Sequence, residues 1–128
     1  MTESKPRMLV ADDERNIRKT LGMVLEAAGY SVDEARDGDE ALDLCKQQHP
    51  DIAFVDLHMP KVEGLEVLAQ IRVISPKTAV VIITAYGTAA NAVEAMKLGA
   101  VDFLEKPFEP KVIGILAEEI LFRQRLGS

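Results

Sequence analysis

Three short stretches of the chain, MLVA (Met8–Ala11), IAFV (Ile52–Val55) and AVVIIT (Ala79–Thr84), are apolar without interruption. A strand with one face in water alternates apolar and polar residues. An unbroken apolar run of this length instead marks a strand buried on both faces. Such strands need a covering layer on each side of their sheet, and the segments between the runs supply helices for both layers. YSVDEA (Tyr30–Ala35) is mixed and reads as an edge strand. VDFL (Val101–Leu104) reads as a fifth strand, also at an edge.

The helical segments follow from spacing and caps. Ile17, Leu21, Val24, Leu25 and Ala28 form one stripe, and Gly29 suits the position just past a helix end. Asp37 with Glu40 three residues on is close to a capping box, for a helix carrying Ala41, Leu42 and Cys45 that ends before Pro50. Val67, Leu68 and Ile71 mark a third helix that stops near Pro76. Thr88 caps a fourth, with Ala89, Ala92, Val93 and Met96 expected to face inward and Gly99 beyond. A fifth spans about residues 109 to 125. Its Ile113, Leu116 and Ile120 are enough to cover a sheet, while Val112, Ile115 and Phe122 widen the apolar arc. Five β-α units of about 25 residues imply an α/β fold: a doubly wound parallel sheet with helices on both faces. The 128 residues suit one domain with its core at about 7–122.

A net charge of −6 argues against direct nucleic-acid binding or an anionic membrane surface. A single cysteine, Cys45, leaves no internal disulfide framework. The start, MTESKPR, has no apolar signal segment, and no apolar run approaches membrane-spanning length, so a cytoplasmic location is expected.

Ligands of open α/β sheets bind outside the carboxyl ends of the strands. There this sequence places Asp12 and Asp13 after the first strand, Asp56 after the third, Thr84 closing the fourth and Lys106 after the fifth. Singly each has a plain reading: Asp12 and Asp13 as helix cap and first-turn acid, Thr84 as a strand former, Lys106 as a solvated lysine. Jointly they describe a site. Converging carboxylates repel each other unless a hard cation intervenes, and Mg²⁺ takes one or two carboxylates, waters and a phosphate. With no Cys/His cluster, and one histidine (His58) among carboxylates, zinc is disfavoured. A carboxylate such as Asp56 can attack phosphorus to form an acyl phosphate, while Lys106 and Thr84 hold phosphoryl oxygens. A cis Lys106–Pro107 bond would turn the chain and aim Lys106 inward; the plain alternative is a trans proline starting the last helix. His49 reads as a helix-end residue, and Met59-Pro60 as a loop-shaping pair.

ADD, VDLHMP, ITAYG and GAVDFLEKPF, in that order and spacing, resemble the receiver domain of bacterial two-component response regulators, over roughly residues 7 to 122. The fourth unit, ITAYGTAANAVEAMKLGAVDFLEKPFE, looks most like receivers of sigma-54-dependent transcriptional activators. The resemblance implies a flavodoxin-like sheet of strand order 2-1-3-4-5 with five helices, acting as a phosphorylation switch rather than a general enzyme. It implies that Asp56 accepts a phosphoryl group from a sensor histidine kinase. Asp13, Asp56 and the backbone carbonyl of His58 would bind Mg²⁺, with Asp12 helping through water. Thr84 and Lys106 would contact the phosphoryl group, and Thr84 and Phe103 would switch the face formed by the fourth helix, fifth strand and fifth helix. His58 and Tyr86 would flank the path of the hydrolytic water, the plain alternative being two loop residues without a kinetic role. A phosphorylation-dependent homodimer is a further expectation, and the chain is either a receiver with an output domain outside these residues or a stand-alone one. Two rivals stand beside this reading. A phosphohydrolase of the haloacid-dehalogenase kind would want D-x-D after the first strand, where this chain has adjacent DD. A nucleotide- or flavin-binding domain would want a Gly- or Ser/Thr-rich loop there, where ADDERN is acidic.

Overall fold

The computed structural model describes residues 5–127; Met1–Ser4 of the MTESKPR segment, and Ser128, lie outside the described residues. Strands β1 (Arg7–Ala11), β2 (Ser31–Ala35), β3 (Ile52–Asp56), β4 (Ala79–Thr84) and β5 (Asp102–Glu105) alternate with helices α1 (Arg15–Ala27), α2 (Gly38–Gln48), α3 (Gly64–Ile74), α4 (Ala89–Lys97) and α5 (Pro110–Gly127). The sheet is parallel throughout and runs β2-β1-β3-β4-β5. The expected doubly wound α/β fold and its strand order are therefore present.

The unbroken apolar runs have the predicted cause. Along β1, β3 and β4 successive side chains enter two different cores. Leu9, Ala11, Ala53, Val55, Val80 and Ile82 pack with α2, α3 and Ala95 of α4. Met8, Val10, Phe54, Val81 and Ile83 pack with Leu21 and Leu25 of α1 and Ile113, Leu116 and Ile120 of α5. The edge strands β2 and β5 are mixed because one side of each lacks a neighbour.

Caps set the helix starts. Asp37 Oδ1 accepts from Glu40 N at 2.9 Å, and Glu40 Oε1 accepts from Arg36 N at 2.9 Å, a capping box displaced by one residue. Thr88 Oγ1 accepts from Asn91 N at 3.0 Å to open α4. Gly29, φ +97°, ends α1 in the conformation that favours glycine. Gly64 is required by close approach: a Cβ there would lie 2.4 Å from the carbonyl oxygen of Asp56.

The inward face expected for α4 is a correction. Ala95 is the buried residue of this helix, whereas Ala89 is exposed, Val93 is 54% exposed and Met96 49%. The segment holds four alanines among its nine residues, so apolar spacing carries little phase information. Beside the short edge strand β5, the smallest side chain allows the closest approach. Smaller corrections concern β5, which runs one residue later than expected, and Asp56, which is the last residue of β3 rather than the first after it. No helix among the described residues is long and apolar enough to cross a membrane.

Candidate functional site

One device recurs at three neighbouring strand ends. Asp12 Oδ1 accepts from Glu14 N at 2.9 Å, Asp56 Oδ1 from His58 N at 3.1 Å, and Thr84 Oγ1 from Tyr86 N at 3.1 Å. Each polar side chain thus closes its own turn through the N–H two residues on. That bond fixes each rotamer at the carboxyl edge of the sheet. Asp12, Asp56 and Thr84 are all buried, so no water layer separates them from the core.

Lys106 crosses this edge from the far side. Its backbone N donates to Thr84 O at 2.8 Å, and the Lys106–Pro107 bond is cis. The ammonium lies 2.9 Å from Asp12 Oδ2, 3.1 Å from Asp56 Oδ2 and 3.2 Å from Glu14 Oε1, with the side chain 7% exposed. Burial by itself lowers a lysine pKa, but the Asp12 and Asp56 carboxylates outweigh it and hold Lys106 above its ordinary value. Burial pushes the Asp12 carboxyl up, against the pull of Lys106. The ammonium therefore stays charged, a fixed positive point between two acids.

Carboxylate oxygens of Asp12, Asp13 and Asp56 all lie within 4.8 Å of one another, Asp13 being the exposed member. Asp12 Oδ2 is buried and receives no hydrogen bond among the described residues; the contact from Lys106 is at ion-pair distance but outside hydrogen-bonding angles. A buried carboxylate oxygen without a hydrogen bond, in a set of three oxygen donors open on the Asp13 side, suits a hard divalent cation.

The remaining expected residues surround this centre. Phe103 is half-buried with its ring beside Thr84 and Gly87. A Cβ on Gly87 would stand 2.9 Å from Phe103 Cε1 and 3.1 Å from Thr84 Cγ2, so glycine leaves the space that the ring occupies. His58 and Tyr86 are exposed, with ring centres 6.3 Å apart and planes tilted by 59°. His49 lies at the opposite edge of the sheet, where it ends α2 with φ +45° and contacts Ser75 Oγ at 3.1 Å. Two residues went unnoticed in the sequence. Glu14 is the third carboxylate on Lys106, hidden behind the more conspicuous DD. Arg18 is buried one turn into α1; its signal was a charged residue in phase with Leu21 and Leu25 on an apolar face.

Comparison with known proteins agrees with this geometry. The alginate biosynthesis transcriptional regulatory protein AlgB of Pseudomonas aeruginosa is 42% identical over 127 residues, covering 99% of this chain and 28% of that protein. This accords with the resemblance of the fourth unit to sigma-54-dependent activators. The chain spans half or less of the length of the curated relatives it matches first. A CheY-like receiver domain protein from Methanospirillum hungatei superposes with a TM-score of 0.94 at 27% identity, over 98% of this chain and all of that one. A Burkholderia pseudomallei response regulator, crystallised with a phosphorylated aspartic acid, a calcium ion and citrate, superposes at 0.80 with 34% identity, over 91% of this chain and 74% of that one. The model of the response regulator receiver domain matches residues 8–117. That match runs from β1 into α5 and takes in every strand end just described, so the chain belongs to the response regulator receiver domain family.

Proposed function

We propose that Asp56 is the phosphoacceptor of this receiver and that a Mg²⁺ ion is held by Asp13 and Asp56, the carbonyl of His58, and Asp12 through water. The observation that carries the reading is the position of Asp56: at a strand end, 3.1 Å from Lys106 and within one cluster with Asp12 and Asp13. The Burkholderia structure with its phosphorylated aspartic acid supports it by similarity. A carboxylate oxygen of Asp56 attacks phosphorus of a phosphohistidine on a sensor kinase. The new O–P bond forms as the N–P bond breaks, and the histidine leaves with a proton. Bound Mg²⁺ supplies neutralisation of phosphoryl charge. Lys106 stabilises a second phosphoryl oxygen as a preorganised cation, already charged and already in place. Thr84 donates its hydroxyl hydrogen to a third, giving up its present bond from Tyr86 N.

Output follows from that exchange. Movement of Thr84 vacates space next to Phe103, which turns inward, altering the surface of α4, β5 and α5. Val93, Met96, Val101, Val112, Ile115 and Phe122 leave an exposed apolar surface on this side, of the kind that marks a partner site. We infer that phosphorylation shifts a pre-existing equilibrium toward a homodimer through it. The receiver, with its core at about 7–122, would then control an output domain elsewhere in a longer protein. His58 and Tyr86, each two residues beyond a site residue and with ring centres 6.3 Å apart, slow acyl-phosphate hydrolysis by crowding the attacking water. The test is incubation with acetyl phosphate. Intact mass should rise by one phosphate when Mg²⁺ is present, and chelation or Asp56→Ala should abolish the gain. An equal gain in Asp56→Ala would overturn the assignment.

A further inference from the structure

We propose that Arg18 is a positioning residue for the divalent cation: its guanidinium grips the peptide that joins Asp12 to Asp13 and thereby aims the Asp13 carboxylate. This rests on the cation reading above.

Arg18 Nη1 donates to the carbonyl oxygen of Asp12 at 2.8 Å, in a buried bond, and Nε donates to Glu34 Oε1 at 3.1 Å. The side chain is 9% exposed. One guanidinium therefore ties together α1, the edge strand β2 and the turn after β1. The Asp12 carbonyl belongs to a planar peptide unit whose far end is the Asp13 Cα. Holding that oxygen from α1, while Asp12 N donates to Ala35 O at 3.1 Å, fixes the turn on both sides. Asp13 is exposed, so its direction depends on the backbone beneath it.

The chemistry selects arginine. The planar fork reaches two acceptors on different elements at once, which a lysine ammonium on a flexible stem does not reproduce. A buried charge must be paired, and Glu34 supplies the counter-charge. Glu34 is itself anchored through Oε2 by Lys19 Nζ at 3.1 Å. Groups that orient metal ligands from behind typically change metal affinity tenfold to a hundredfold when removed.

Positioning and simple charge predict opposite signs. Arg18 is a positive charge near a cation site, so charge alone says that its removal strengthens Mg²⁺ binding. Positioning says that removal weakens it. The experiment is calorimetric titration of the whole chain with Mg²⁺ and no phosphodonor, for wild type, Arg18→Met, Arg18→Lys, Glu34→Ala, Asp13→Asn and the double variant Arg18→Met/Asp13→Asn. Circular dichroism establishes that each is folded at the titration temperature. Arg18→Met should bind Mg²⁺ roughly tenfold to a hundredfold more weakly. Arg18→Lys should keep the charge and still be weakened. Glu34→Ala, which leaves Arg18 one prong, should lose less. In the Asp13→Asn background, Arg18→Met should add little further loss, because the ligand it aims is gone. Unchanged or tighter binding in folded Arg18→Met overturns the proposal, as does a full additive loss in the double variant. If Arg18→Met does not fold, Arg18→Lys decides, because it keeps the charge and loses the fork: unchanged affinity overturns the proposal and a loss supports it. Wild type that binds no Mg²⁺, or Asp13→Asn that binds as tightly as wild type, sinks the cation reading itself and takes this proposal with it.

Discussion

Asp12 shows at the scale of one residue how a site costs stability. Its carboxyl is buried, and that burial, with the like charge of Asp56, outweighs the pull of Lys106 and of the Glu14 N–H, so the ionised form is held at a cost. Asp12→Asn should therefore stabilise the Mg²⁺-free protein by about 1 kcal/mol in urea unfolding, the size of gain common when a functional strain is removed. The same variant should bind Mg²⁺ more weakly. Asp13 is exposed, so Asp13→Asn should lower Mg²⁺ affinity with little change in the unfolding midpoint; unchanged affinity would mean that the metal sits elsewhere. Asp12, Asp13, Asp56, Thr84 and Lys106 were legible because a parallel sheet brings its strand ends together whatever the loops do. Glu14 and Arg18 were not, since their roles depend on where a lysine 92 residues away and a strand-end carbonyl come to lie. Sequence separation hides the Glu14 contact, whereas the Arg18 bond spans only six residues and is hidden because its acceptor is a backbone carbonyl, which leaves no mark in the sequence.

Elements were legible in proportion to how distinctive their pattern is. The continuous apolar runs and the Asp37 and Thr88 caps each have one physical reading, and β1, β3, β4, α2 and α4 begin where those readings put them to within a residue. The face of α4 was misread, because alanine fits either side of a helix and burial is decided by how closely an edge strand lets the helix approach. The Asp37 cap offers a check at this scale. The hydrogen bond from Glu40 N lowers the Asp37 pKa below 3.8, against a smaller opposing effect of burial and with help from Lys61. A depressed carboxylate pKa contributes stability that is present above the unfolded value and lost as pH falls through the folded one. Asp37→Ala should cost about 1 kcal/mol at neutral pH. The difference from wild type should narrow below pH 3.8, as thermal melts across that range would show.

For the whole molecule, the order 2-1-3-4-5 was accessible through the resemblance, while apolar patterning alone required only a parallel sheet covered on both sides. What patterning did expose is the surplus on α5. Ile113, Leu116 and Ile120 suffice for the core, and Ile115 and Phe122 remain 58% and 57% exposed beside the outward Val93 and Met96 of α4. Sedimentation with beryllofluoride, a phosphoryl mimic, should raise the mass of wild type toward a dimer. Ile115→Glu should stay monomeric and Thr84→Ala should respond weakly; a dimer of Ile115→Glu as strong as wild type would remove this face from the mechanism. All of this depends on chemistry at one side chain. The most direct measurement is borohydride trapping of the protein after acetyl phosphate and Mg²⁺, followed by peptide mass mapping. The account predicts that the reduced residue is Asp56 alone, with Asp12 and Asp13 intact. A reduced Asp12 or Asp13 with Asp56 unmodified would contradict it.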